Sequence, residues 1–376
     1  MTDNRVTGNG VTGSGVTGRP ATAKGPTANW LGVSQLSRTG GIVAVLAALV
    51  AFPLVFTNPA ITNYGVLTLI FVAAAASWNI FSGYSGYISL GHAVFFGSGA
   101  YFTGIATKDW NVSGSAVFAL LPLAGLVGAV LAVPFGLVAL RVRRHTFVVI
   151  TIAVFFIFQL MAYNLQSLTG GTSGLLGPTI NFSAATFNNP FYYVALAIAV
   201  VVVAVSWLIR RSRFGLQLRA IRDDEDRAAG LGVRVMPVKL SAFVVSAVPT
   251  AMVGGLLWYY LGLVDPSSGF DPLFDVAVVL MAFLGGLGTV AGPVLGALLI
   301  EPARLYFQQQ TTYLYLILYG ALFLVVILVL PRGIIPTAAE QIAGWRARRK
   351  GSTGQVGSEA APASPGAMTD RASEPA

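Results

Sequence analysis

Most of this chain is a succession of apolar runs, each close to the length that crosses a lipid bilayer. A membrane helix needs roughly 20 mostly apolar residues. Clear candidates are Gly41–Thr57, Tyr64–Phe81, Ser115–Leu140, Thr146–Gln166, Pro190–Ile209, Leu240–Leu263 and Tyr313–Leu330. Two further stretches, Gly83–Ile105 and Phe274–Ile300, are apolar but broken by glycine. The second is interrupted by Gly285-Gly286-Leu287-Gly288 and Gly292-Pro293. The chain is 55% hydrophobic and only 10% charged, against about 25% charged in a soluble domain. Lipid is the solvent this pattern requires. The expected fold class is an all-α integral membrane protein, a polytopic helical bundle.

Charge sets the expected topology. Of 23 lysines and arginines, 21 fall on one side of the membrane. They lie in the N-terminal tail (Arg5, Arg19, Lys24, Arg38), at Arg141, Arg143 and Arg144, from Arg210 to Lys239, from Arg332 to Lys350, and at Arg371. The positive-inside bias makes these segments cytoplasmic. The opposite loops carry Asp109, Asp265, Asp271 and Asp275, with only Lys108 as a cation. Both termini are then cytoplasmic and the number of crossings is even. Taking Phe274–Ile300 as one crossing gives nine, which fails. A turn at Gly285–Gly288 between short spans, about Asp271–Gly286 and Thr289–Phe307, gives ten, and a re-entrant segment there gives eight. Ten is the favoured count, and Glu301 and Arg304, three apart on a helix, are placed to pair near the outer boundary. The net charge of +9 follows from this flanking pattern, so nucleic acid is not an expected partner and membrane lipid is.

Residues 1–40 read as a disordered cytoplasmic tail. Val-Thr-Gly recurs there at Val6, Val11 and Val16, with little to bury. Residues 41–336 form the membrane domain, with its one long polar loop at 210–239. Residues 337–376 are a basic cytoplasmic segment and a second disordered tail. There is no cysteine, which excludes disulfides and thiol metal sites.

The first motif is Gly83-Tyr84-Ser85-Gly86-Tyr87-Ile88-Ser89-Leu90-Gly91-His92, continuing through Phe95, Gly97, Gly99 and Ala100. Glycine-rich backbone at membrane depth is tolerated where it is buried in protein or lines a cavity. Close helix packing and lining of a translocation pathway both account for it, packing being favoured. Candidate pathway residues are Gly83, Gly86, Ser89, Gly91 and His92, with Gly285, Gly286 and Gly288 from the later block. His92 is a functional candidate as an intramembrane ionisable group. An imidazole bonded to a neighbouring helix is the favoured alternative. The outer loop Thr169-Gly170-Gly171-Thr172-Ser173-Gly174-Leu175 fits a partner contact and plain turn chemistry equally.

The basic loop centres on Ala220-Ile221-Arg222-Asp223-Asp224-Glu225-Asp226-Arg227-Ala228-Ala229-Gly230-Leu231-Gly232-Val233. Asp223 or Asp224 suits an N-cap, and Gly230 or Gly232 a helix end. A short helix here, with Ala228, Ala229 and Leu231 on an apolar face, needs a socket on another protein or on the membrane surface. A solvated interfacial helix is the plainer reading. No stretch matches G-x-x-x-x-G-K-[ST], so the chain is not its own P-loop ATPase. No Asp, Glu, Lys or Arg falls deep in a clear span, where each costs about 2.5–3.5 kcal/mol. This weighs against ion-coupled transport.

Three blocks together resemble the permease subunits of branched-chain amino-acid ABC importers of the LivM/LivH type, the LivM type most closely, over about Tyr64 to Pro336. They are Ser89–Ala93 leading into Phe95–Tyr101; Ala220-Ile221-Arg222 with Glu225, Ala228, Gly232, Lys239-Leu240, Phe243 and Ser246-Ala247; and Gly285–Thr289 with Gly292-Pro293, Gly296-Ala297 and the late Pro331-Arg332-Gly333. Asp224 departs from the family's usual Asn, and the two tails have no counterpart in the family core.

The resemblance implies a non-catalytic transport subunit of the bacterial inner membrane. It would form half of a pathway for leucine, isoleucine and valine or a related small solute, urea and amides included. It implies a second permease subunit, two cytoplasmic ATPases holding ATP and Mg²⁺, and an extracytoplasmic solute-binding protein. This chain itself is expected to hold no cofactor or metal. Contact with an ATPase is implied for Arg222, Asp223, Asp224, Glu225, Ala228, Ala229, Gly230 and Gly232. An ion-coupled secondary transporter and a facilitative channel are the rival classes.

Overall fold

The computed structural model describes residues 30–178, 182–183 and 186–310, with scattered positions from 317 to 341. The chain divides into two units, residues 1–52 and 53–376. Helix α1 (Trp30–Val55) starts in the first, inside the expected tail. Its first residues follow no apolar run, so hydropathy alone sets its start late. The rest of the N-terminal tail, much of the expected span Tyr313–Leu330, Pro331, Arg332 and residues 342–376 lie outside the described residues.

The second unit is built of helices. α2 (Pro59–Trp78) starts at a proline whose missing N–H is no loss in a first turn, after Asn58 accepts a hydrogen bond from Ala60 N at 2.9 Å. It runs into a π-turn at Asn79–Gly83. α3 (His92–Asp109) follows, then a 3₁₀ turn (Gly114–Leu120) leading into α4 (Leu121–Ala139), α5 (Arg144–Asn164) and the one-turn α6 (Gln166–Thr169). α7 (Asn188–Arg211), α8 (Arg213–Asp223) and α9 (Glu225–Gly230) come next. α10 (Val235–Leu261), α11 (Pro266–Gly269), α12 (Pro272–Gly285) and α13 (Ala291–Gln310) complete the series. Among the described residues, six helical segments are long and apolar enough to cross a membrane: Pro59–Gly83, Gly114–Ala139, Arg144–Asn164, Asn188–Arg211, Val235–Leu261 and Pro266–Gly285.

The expected single stretch Gly83–Ile105 is two pieces: the π-turn after α2 ends at Gly83, and a loop leads to α3 at His92. Aromatic side chains hold that loop. Trp78 Nε1 donates to Ser89 O at 2.8 Å, and the Tyr84 hydroxyl bonds Ser206 Oγ at 2.7 Å. The expected break at Gly285–Gly288 is present. Gly286 and Gly288 have φ of 123° and 76°, values that L side chains rarely adopt. α12 and α13 then pack antiparallel. A Cβ on Gly285 would sit on the carbonyl of Gly292, and one on Gly296 on that of Met281.

α10 lies against α3, α4 and α2. Backbones touch because side chains are missing: Gly99 lies against Ala251 and Gly254 against Phe96. Without a hydrophobic drive between helices in lipid, such close packing is what joins them. By contrast α5 turns Val149, Phe156, Ile157, Leu160 and Met161 outward.

At one end of the unit the outer loop is built rather than loose. Strands β1 (Leu175–Leu176) and β2 (Leu263–Val264) pair antiparallel, Leu175 opposite Val264. Gly177 N donates to Gly262 O at 2.7 Å and Trp258 Nε1 to Leu175 O at 3.3 Å. Close by, the Tyr260 hydroxyl sits 2.7 Å from Asn63 Oδ1 and 2.9 Å from Asn188 Oδ1. It links α10 to α2 and α7.

One expectation about charge is corrected and one is met. Asp275 is not a loop residue. It sits in the first turn of α12, 2% exposed, and its Oδ1 accepts from Ala93 N at 3.1 Å. It thereby caps the N-terminus of α3, where a carboxylate suits the helix dipole. Its Oδ2 has no hydrogen-bond partner. Glu301 is fully buried in α13 and takes two bonds from Arg304, at 2.5 and 2.9 Å. Buried acids are therefore present within helices, each held by a local donor. The expected Glu301–Arg304 pair forms.

Candidate functional site

The polar loop folds into two helices, not one. α8 begins on the Ser212 hydroxyl, which accepts from Gly215 N at 3.2 Å. It stops at Asp223 because Asp224 turns extended (φ −157°, ψ 114°) and caps a new helix, α9, accepting from Arg227 N at 3.0 Å. α9 ends with Gly232 at φ 86°, its N–H on Ala229 O and that of Val233 on Ala228 O. This is the paired pattern of a glycine-terminated helix. Asp223, Asp226, Arg227, Ala229, Gly230, Leu231 and Gly232 are exposed, Leu231 by 85%. Ala228 is turned inward, 2% exposed, so the expected face of Ala228, Ala229 and Leu231 is divided: only the last two point outward.

Behind this tip the chain is fastened at three points. Lys239, in the second turn of α10 and 3% exposed, donates to Glu225 Oε1 at 2.7 Å. The Tyr87 hydroxyl donates to Glu225 Oε2, and Lys239 Nζ lies 3.2 Å from the same hydroxyl. Burial pushes the Glu225 carboxyl up, but the bonds from Lys239 and Tyr87 and the nearby charges outweigh it, and the net direction is down. Burial and the bond to Glu225 push the Tyr87 phenol up, so it remains a donor. The second fastening is Arg144, at the start of α5. Its Nη2 donates to Ile221 O at 2.6 Å and Arg222 O at 2.7 Å, two carbonyls at the C-terminal end of α8. The third is Arg222, whose Nη1 donates to Gly83 O at 2.8 Å.

The third fastening gathers the glycines singled out in the sequence. Gly83, Gly86 and Gly288 surround the Arg222 side chain: a Cβ on Gly86 would lie 2.9 Å from its Cγ, and one on Gly288 would strike its guanidinium. Asn79 joins the two glycine blocks, accepting from Gly288 N at 2.8 Å and donating to Thr289 O at 2.9 Å. Gly286 packs against Pro336, and Gly333 against Gly286. Gly285 meets α13, as described above. Gly91 faces Thr151 and Phe135.

His92 and Ser89 form a separate buried group. Ser246 Oγ donates to Phe243 O at 2.8 Å, so at its 3.0 Å contact with His92 Nε2 it accepts. That leaves His92 Nδ1 to accept from Ser89 Oγ, also at 3.0 Å. The ring is fully buried, with Phe81, Phe95 and Phe243 around it.

Sequence reading missed Arg144, Tyr87, Lys239 and Asn79 as members of the site. A cavity of about 500 Å³ lies between the α4–α5 turn and the α8–α9 break, lined by Tyr87, Arg141, Arg143, Arg144, Asp223, Glu225, Lys239 and neighbours. No metal-binding group of three or more His, Cys, Asp or Glu occurs among the described residues.

The chain is similar to known proteins. A family described as "Branched-chain amino acid transport system / permease component" matches residues 60–327. The high-affinity branched-chain amino acid transport system permease protein LivM of Salmonella typhimurium is 27% identical over 327 residues, 80% of this chain and 76% of that protein. LivH of Escherichia coli is 28% identical over 279 residues, 69% of this chain and 89% of that protein. The autoinducer 2 import system permease protein LsrC of Photorhabdus luminescens is 31% identical over 102 residues, 26% of this chain and 31% of that protein. No solved structure matches. The protein is a multi-pass component of the bacterial inner membrane. With residues 60–327 matched and the helices in place to carry them, the chain belongs to the family of permease components of branched-chain amino acid transport systems.

Proposed function

We propose that this chain is one permease subunit of an ATP-driven importer, forming half of the pathway for leucine, isoleucine and valine or a related small solute. It crosses the membrane ten times with both termini in the cytoplasm. A second permease subunit completes the pathway, two ATPases holding ATP and Mg²⁺ drive it, and an extracytoplasmic binding protein delivers the solute. The observation that carries this reading is the α8–α9 tip. It exposes Asp223, Asp226, Ala229 and Leu231 while its base is bound to α5, α10 and the two glycine turns. An ATPase docked there has a firm hold on the bundle.

The breadth of solutes named for the relatives, branched-chain amino acids and autoinducer 2, supports a substrate chosen largely outside this subunit. Glu301 is tied to Arg304 and Asp275 to α3. Both buried acids thus have a local donor, which weighs against the ion-coupled alternative.

Purification of the full chain from native membranes in detergent, with mass spectrometry of its companions, tests the reading. Two ATPases, a second permease and a binding protein are expected. The chain recovered alone, under conditions that keep a control importer whole, sinks the proposal. Ligand screening of the co-purified binding protein then separates branched-chain amino acids from urea and amides.

A further inference from the structure

The tip can transmit movement only through what holds it. Lys239 is a buried ammonium whose carboxylate partner belongs to α9. Parting α9 from α10 would leave that cation unpaired, and an unpaired buried charge is strongly disfavoured. The two helices therefore move together. Arg144 makes a second tie of a different kind: its guanidinium grips the carbonyls of Ile221 and Arg222 from the first residue of α5. α10 is packed into α3 and α4, whereas α5 is largely exposed. The same displacement thus meets a heavily packed helix through Lys239 and a lightly packed one through Arg144.

We infer that Lys239 and Arg144 are positioning residues for transport, the joints that pass movement of the α8–α9 tip to α10 and to α5. The inference rests on the reading that an ATPase docks on that tip. Neither residue is at the exposed tip itself, so each is separable from docking.

The test uses the complete complex in proteoliposomes, reading ATPase subunits retained, ATP hydrolysed and labelled leucine taken up. Lys239→Met should keep the ATPases bound and hydrolysing while leucine moved per ATP falls about tenfold, and Lys239→Arg should restore much of it. A Lys239→Met complex with the wild-type ratio overturns the inference. Should that variant fail to assemble, Tyr87→Phe loosens the same joint more gently, and an unchanged ratio there overturns it equally. For Arg144 the readout is independent of the solute. The chain has no cysteine, so spin labels at Leu160→Cys on α5 and Leu137→Cys on α4 report α5 relative to α4. Their nucleotide-dependent distance change should differ from wild type in Arg144→Gln, and an unaltered change removes Arg144 from the proposal. Asp226→Arg distinguishes the underlying reading: if ATPases stay bound and uptake is normal there, docking on the tip is what has failed.

Discussion

Lys239 and Glu225 meet at 2.7 Å but are unequally buried, the lysine 3% exposed and the glutamate 32%. The pair is therefore asymmetric. Glu225→Ala strands a buried ammonium and should cost about 3–5 kcal/mol. Lys239→Met leaves a carboxylate that reaches water and keeps the Tyr87 bond, and should cost about 1–2 kcal/mol. Thermal unfolding of both variants in one detergent gives the order, and equal losses would contradict the asymmetry.

The same carboxylate gives a pH dependence. Its folded value is depressed below the ordinary 4.5. Its contribution is thus complete above the unfolded value and is lost as pH falls through the lower folded one. The difference in Tm between wild type and Glu225→Gln should stay constant from pH 7 to about pH 5 and shrink below about pH 4.5.

Arg144 satisfies two carbonyls at the end of α8 at 2.6 and 2.7 Å. A hydrogen bond to a charged group contributes about 1.5–3 kcal/mol. Arg144→Gln should loosen the α8 end first. Hydrogen exchange measured by mass spectrometry should rise over residues 219–224 before the transmembrane helices change.

Asp275 caps α3 through Oδ1 while Oδ2 lacks a partner. An asparagine at this position would keep the acceptor and put a neutral amide nitrogen in place of the unpaired oxygen. Asp275→Asn should therefore change stability by under about 1 kcal/mol, and Asp275→Ala should lose about 1–2 kcal/mol with the cap. A larger loss in Asp275→Asn than in Asp275→Ala would show that the carboxylate has another role.

Two glycines should respond in opposite ways. At Gly254 a Cβ would land on the backbone of Phe96, while at Gly230 nothing lies within 4 Å. Gly254→Ala should lose about 3 kcal/mol or fail to assemble, because a backbone contact cannot rotate away. Gly230→Ala, in the last turn of α9, should gain about 0.4–1 kcal/mol. Tm and detergent-stable yield report both.

What could be read from the sequence was local. The turn at Gly286–Gly288 and the cap at Asp224 follow from residue types that prefer those conformations. The pairing of Glu301 with Arg304 follows from helical spacing. What could not be read depends on partners far along the chain. Lys239 sits fourteen positions after Glu225 and 152 after Tyr87, and no pattern announces that it is buried. Asp275 looks like a loop acid until α12 is brought against the start of α3. The split of the polar loop into α8 and α9 was hidden because Asp223 and Asp224 both suit a cap and only the fold chooses. Whether the glycine blocks pack or line a pathway was open in the sequence for the same reason. The structure brings Gly83, Gly86 and Gly288 around Arg222.

The strand pair at the far end of the unit has a mechanical meaning. It fastens the connection after α6 to the end of α10, and Tyr260 fastens that end in turn to Asn63 and Asn188. The connection after α6, α2 and α7 are thus all tied to the end of α10 by backbone and side-chain bonds. A mouth that opens on that side must break these ties or pass outside the four elements they join.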